Sequence, residues 1–226
     1  MRYAIEGGSL PAVMIHLEAG ETIVSEVGGR IWTKGPIELE TKAEGGLGRS
    51  LGRMFSGESL FMSRYTAKGP AEIAFAASFA GRIIARELAE GESLICQKTA
   101  FLCATAGVDM KIHFQKKLGA GFMGGEGFIM QKVTGPGIVF VEIDGYCKEY
   151  DLAAGEEIVC DTGVLAMMDA TCTMDIRVVK GLKNKFMGDE GFVDTVVSGP
   201  GKVYLQTMTI PKLAGMMIPY LPIGKG

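Results

Sequence analysis

The residues with the strongest claim to chemistry lie between Gly119 and Gly124, where "GAGFMG" has the glycine spacing G-x-G-x-x-G. That spacing cradles a dinucleotide pyrophosphate when it leads from a strand into a helix. Here it leads into "EGFIMQKV", which reads as a strand, so there is no helix N-terminus to hold an anion. No NAD or FAD site is expected, and no other cofactor. A second candidate is "CDTG" at Cys160 to Gly163, the aspartic-protease tripeptide. That chemistry needs two aspartates sharing one site, and the chain has a single "DTG". His16 and His113 are the only histidines, both in strand-like surroundings, and they cannot build a metal site unaided. No G-x-S-x-G elbow or Walker A sequence is present. The expectation is a protein that is not an enzyme.

The five cysteines, Cys96, Cys103, Cys147, Cys160 and Cys172, form no C-x-x-C pair. An odd number without that spacing argues against a disulfide framework or a zinc ribbon. Apolar neighbours make them small core residues, and a reducing cytoplasm is the expected setting. The formal charge is −3, which does not favour a nucleic-acid partner. No run reaches the roughly 20 apolar residues of a membrane span. The first residues also lack a signal-peptide core.

The elements that would position any site are β-strands. The 33 glycines are about twice the average for this length, and many fall in "GE" and "GP" pairs that mark turns. The 226 residues suit one large domain or two small ones. Three copies of one unit are visible. "LEAGETIV" begins at Leu17, "LAEGESLI" at Leu88 and "LAAGEEIV" at Leu152, spaced by 71 and 64 residues. "GGEGFIMQKVTGPGIVFV" from Gly124 and "GDEGFVDTVVSGPGKVYL" from Gly188 repeat the spacing of 64. Units of this length hold six to eight short strands, too long for propeller blades.

The expected architecture is therefore all-β: a single domain, 1–226, of three pseudo-threefold repeats of a small curled sandwich or barrel. The repeats run over about 17–87, 88–151 and 152–212, with 1–16 completing the third and closing a ring. Residues 213–226 form a tail, in which "LAGMMIPYL" makes a short helical turn limited by Pro211 and Pro219.

One recurring feature suits a contact surface. A loop mixing basic and large apolar residues precedes each acidic turn. It carries Arg49, Arg53 and Phe55 in the first copy, Lys116, Lys117 and Phe122 in the second, and Lys183, Lys185 and Phe186 in the third. Such a mixture suits an anionic membrane surface or a protein partner.

The segments "LGRMFSGESLFMSRYTA", "GEGFIMQKVTGPGIVF", "LAAGEEIVCDTGVLAMMD" and "GPGKVYLQTM" together resemble the altered-inheritance-of-mitochondria twenty-four family, long a domain of unknown function. The resemblance covers nearly the whole chain. It implies an all-β fold of three repeats like the unit of the trp RNA-binding attenuation protein, in the double-stranded β-helix class. It brings no accepted enzymatic activity or catalytic motif. Its mitochondrial member is linked to inner-membrane organisation, and bacterial relatives occur near membrane-scaffold proteins. RNA binding does not transfer with a fold. The expectation is a cytoplasmic scaffold or adaptor at a membrane surface, or on a membrane-scaffold protein, that forms homo-oligomers. The alternative is a small-ligand binding module with a pocket within or between the repeats.

Overall fold

The computed structural model describes residues 1–26, 29–43, 61–116, 127–178 and 193–220. The chain is all-β within them, apart from one short helix and two 3-10 turns. Strands β1 (Arg2–Glu6), β2 (Ala12–Leu17), β3 (Thr22–Glu26), β4 (Arg30–Lys34), β5 (Ile37–Ala43), β6 (Phe61–Ala67) and β7 (Ala71–Ala76) come first. Then follow β8 (Gly81–Leu88), β9 (Ser93–Gln97), β10 (Phe101–Thr105), β11 (Asp109–Lys116), β12 (Phe128–Thr134) and β13 (Gly137–Asp144). The last six are β14 (Cys147–Leu152), β15 (Glu157–Asp161), β16 (Leu165–Asp169), β17 (Thr173–Val178), β18 (Val193–Ser198) and β19 (Gly201–Gln206).

The turns between strands have a common chemistry. Gly20, Gly91 and Gly155 all take a positive φ, at 87°, 77° and 84°, which glycine alone adopts without strain. The glutamate after each accepts the N–H three residues back. Glu21 takes that of Glu18 at 2.9 Å, Glu92 that of Ala89 at 2.9 Å, and Glu156 that of Ala153 at 2.8 Å. The sequence "AGE" or "EGE" is thus a turn in which a carboxylate replaces a backbone acceptor.

Most strands neighbouring in sequence fall in different sheets. A four-stranded sheet runs β1-β2-β7-β4. Two six-stranded sheets follow, β5-β6-β3-β10-β13-β8 and β11-β12-β9-β16-β19-β14. A three-stranded sheet runs β15-β18-β17. All pairings among the described strands are antiparallel, and four ladders carry an irregularity, among them β11–β12 between Ile112 and Phe114. The register slips by one residue between Arg30 and Trp32, between Phe101 and Cys103, and between Leu165 and Met167. A bulge of this kind turns the strand and raises its twist.

Apolar side chains alternate along the strands and converge on three clusters. Val13, Ile15 and Leu17 of β2 point inward to Ile23, Ile73, Phe75 and Phe140. Leu94, Phe101, Val141, Ile143 and Met167 fill the middle, and Phe128, Met130, Leu165 and Val203 the far end. Tyr3 covers the Phe140 ring edge-on, with centroids 5.0 Å apart, fixing β1 over the first cluster.

Strand β2 lies against β7 as β8 lies against β13 and β14 against β19. One expectation is corrected. The C-terminal helix, α1, spans Ile210–Met217 and takes Pro211 into its first turn. Proline is accepted there because its missing N–H would have no partner in the helix. Thr209 caps the start, its hydroxyl accepting the Lys212 N–H at 3.3 Å.

Candidate functional site

Among the described residues, strand β13 carries a pair of acids whose carboxyls are both raised by burial. Its sequence "GIVFVEID" sets Glu142 and Asp144 two residues apart, hence on one face of the strand. Glu142 is 6% exposed. Burial pushes its carboxyl up to about 7, against hydrogen bonds from Ser78 that favour the ionised form. The Ser78 N–H donates to one carboxylate oxygen at 2.5 Å and the Ser78 hydroxyl to the other at 3.1 Å. Burial raises Asp144 as well, and its buried Oδ1 has no hydrogen-bond partner among the described residues.

A carboxyl poised near neutrality can move protons. Glu142, however, gives both oxygens to the segment joining β7 to β8. That segment is also held from elsewhere: Ala77 N–H donates to Pro11 at 2.9 Å and Gly81 N–H to Ser9 at 2.8 Å. Gln206 performs the same task at the end of β19. Its side-chain oxygen accepts the Asp144 N–H at 3.1 Å and its amide nitrogen donates to the Gly163 carbonyl at 2.9 Å. One linker is capped by a carboxylate and the next by an amide of the same length, so a connecting role accounts for Glu142.

A second polar group joins strands of different sheets. Arg86 on β8 donates to the Tyr204 hydroxyl at 3.2 Å and lies 3.4 Å from Asp169. The other Asp169 oxygen accepts the Lys202 N–H at 2.9 Å. This network clamps β8, β16 and β19 together.

The sequence candidates fare unevenly. Lys116, at the end of β11, donates its ammonium to the Ile176 carbonyl at 3.3 Å and so ties β11 to β17. Arg49, Arg53, Phe55, Lys117, Phe122, Lys183, Lys185 and Phe186 lie outside the described residues. So does "GAGFMG", while the strand expected after it is β12. The "DTG" tripeptide ends β15 in a turn: Thr162 donates its hydroxyl to the Val193 carbonyl at 2.6 Å, and Gly163 has φ 97°. His16 lies 3.7 Å from Glu72, and burial with nearby Lys132 lowers His113. Among the described residues, no three His, Cys, Asp or Glu side chains are grouped to hold a metal ion. None of the described helices is long and apolar enough to cross a membrane.

Sequence reasoning missed Glu142, Asp144, Arg86 and Asp169. A signal existed for the first: "IVFVEI" encloses one glutamate in an otherwise apolar strand. No signal marks Arg86, whose partners lie 83 and 118 residues away.

The family model described as "Mitochondrial biogenesis AIM24" matches residues 3–208. An uncharacterized protein of Streptococcus pyogenes serotype M6 is 29% identical over 231 residues, covering 98% of this chain and 92% of that protein. An X-ray crystal structure of a Streptococcus pyogenes protein superposes with a TM-score of 0.79 at 25% identity. The match covers 97% of this chain and 99% of that one.

Proposed function

Because this chain belongs to the mitochondrial biogenesis AIM24 family, a description that names a process and no reaction, we propose that it is a non-enzymatic scaffold or adaptor. Its site of action in this reading is an anionic membrane surface, approached from the cytoplasm. The observation that carries the reading is the apolar C-terminal segment. Ile210, Met216, Met217 and Ile218 are about half exposed and Tyr220 is 88% exposed. Apolar side chains gathered on one short exposed segment are the kind of surface that enters a lipid headgroup region. The basic-apolar loops expected at Arg49 to Phe55, Lys116 to Phe122 and Lys183 to Phe186 would add charge attraction.

The same reading takes the chain as three pseudo-threefold repeats of a small curled sandwich or barrel unit of the trp RNA-binding attenuation protein type, in the double-stranded β-helix class. Its support is register. The bulged strands β4, β10 and β16 stand at the same place in their stretches, and the three capped "GE" turns recur at the sequence spacing.

The test is flotation of the purified protein with phosphatidylserine-containing liposomes at low and physiological salt. One variant replaces Met216, Met217, Ile218 and Tyr220 with Ser. A second replaces Arg53, Phe55, Lys117, Phe122, Lys185 and Phe186 with Ser. Wild-type flotation that weakens in the first variant, and becomes salt-insensitive in the second, is the expected result. No flotation at either salt overturns the membrane reading.

A further inference from the structure

Two sheets of this molecule are halves. In the six-stranded sheets, β3 lies between β6 and β10, and β9 between β12 and β16. Among the described residues, strand β15 has β18 on one side and no strand on the other. On their other side, β10 and β16 each pair with a strand of the β13/β19 type, as β4 pairs with β7. Yet β4 ends its sheet, where β10 and β16 continue into β3 and β9. The β15-β18-β17 sheet therefore lacks what β4-β7-β2 provides, and the reverse. Within the chain β15 and β4 belong to different sheets.

The residues on these edges are apolar where the corresponding residues are buried. Val24 and Ile95 are 7% and 1% exposed, but Val159, at the same place in β15, is 56% exposed. Cys103 and Met167, each just past the bulge, are fully buried, whereas Trp32 is 44% exposed. Open strand edges with apolar side chains pair with other chains unless blocked. Nothing on β4 (RIWTK) or β15 (EIVCD) is a proline or an inward charge.

We propose that β15 of one copy pairs with β4 of a second copy, antiparallel and head to tail, to complete a third six-stranded sheet. Both internal joints give the register. Val24 faces Ala104 and Ile23 faces Thr105; Ile95 faces Met168, Leu94 faces Asp169 and Cys96 faces Met167. Transferred to the edges, Val159 faces Thr33, Ile158 faces Lys34 and Cys160 faces Trp32. The ends then match in charge: Asp161 meets the Arg30 end and Glu157 the Lys34 end. Opposite charges across a strand pair stabilise it and like charges disrupt it. Each copy has one edge of each kind, so the contact is heterologous and builds a ring or a filament.

The test uses the full chain in light scattering after gel filtration, loaded at about 50 µM, well above the Kd of a micromolar contact. One variant reverses β4 (Arg30→Glu, Lys34→Glu) and the other β15 (Glu157→Lys, Asp161→Lys). The wild type is expected at two or more times the 24.1 kDa chain mass. Each variant alone falls to a single chain with unchanged circular dichroism. An equimolar mixture regains the larger mass, because the native edges left on the two variants still fit each other. Recovery on mixing separates a lost joint from a lost fold. A single-chain mass for the wild type overturns the proposal, whether the edges stay open or meet within one chain. So does an oligomer that survives either reversal.

Discussion

Replacing Glu142 with Gln should stabilise the protein at alkaline pH and leave it nearly unchanged in acid. Glu142 titrates near 7 in the folded chain, against 4.5 for the ordinary group. The folded state therefore holds a proton over this window that the unfolded chain has released. Stability falls as pH rises from 4.5 to 7 and is flat above. At 1.36 kcal/mol per pKa unit, the ionised carboxylate costs about 3 kcal/mol above pH 7. Asp144, also raised by burial, adds to the slope in the same direction. Gln keeps an oxygen for the Ser78 N–H and offers an amide N–H to the Ser78 hydroxyl, as Gln206 caps its own linker with an oxygen and an amide. Thermal melts of wild type and variant at pH 4.5, 6, 7 and 8 measure the difference directly. For a chain of this size about 3 kcal/mol corresponds to a rise of roughly 6–12 °C. The Tm difference should grow from near zero at pH 4.5 to that value at pH 8. A variant less stable than wild type at pH 8, or a difference independent of pH, would refute the reasoning.

Gly81→Ala should lower stability by about 1–3 kcal/mol or more, since a Cβ there overlaps the carbonyl oxygen of Ile143; a denaturant melt with an unchanged midpoint would contradict this. Burial pushes Cys96 and Cys160 up to about 12 and raises Cys103, Cys147 and Cys172. A disulfide reagent at pH 8 should therefore label the native chain far more slowly than a free thiol, and should reach all five cysteines only in denaturant.

The strands and their turns were legible because each is a local event. An apolar run bounded by Gly, Pro or Asp needs no distant partner to be recognised, and the glutamate after Gly20, Gly91 and Gly155 bonds within its own turn. Sheet membership was not legible, because pairing is decided by packing between residues far apart. Nothing in "MRYAIEGGSLPAVMIHL" marks β7 as the partner of β2. Glu142 belongs to no motif, and its apolar neighbours in "IVFVEI" are its mark in the sequence. The helix α1 starts before Pro211 because a proline that ends a helix from within begins one from its first turn.

The division of neighbouring strands among sheets also governs the order in which the molecule can assemble during synthesis. Strand β8 meets β13 with Gly81 opposite Asp144, and β3 meets β10 only after residue 105 has been made. Hairpins such as β1–β2 and β5–β6 can form as they emerge. The two six-stranded sheets wait for chain still inside the ribosome. Long-range pairing of this kind slows folding, and apolar strands such as β3 and β7 remain uncovered meanwhile. A truncated product ending between β7 and β8 would keep the hairpins yet lose the far side of the first core cluster, where Ile83, Leu102, Cys103 and Phe140 reside.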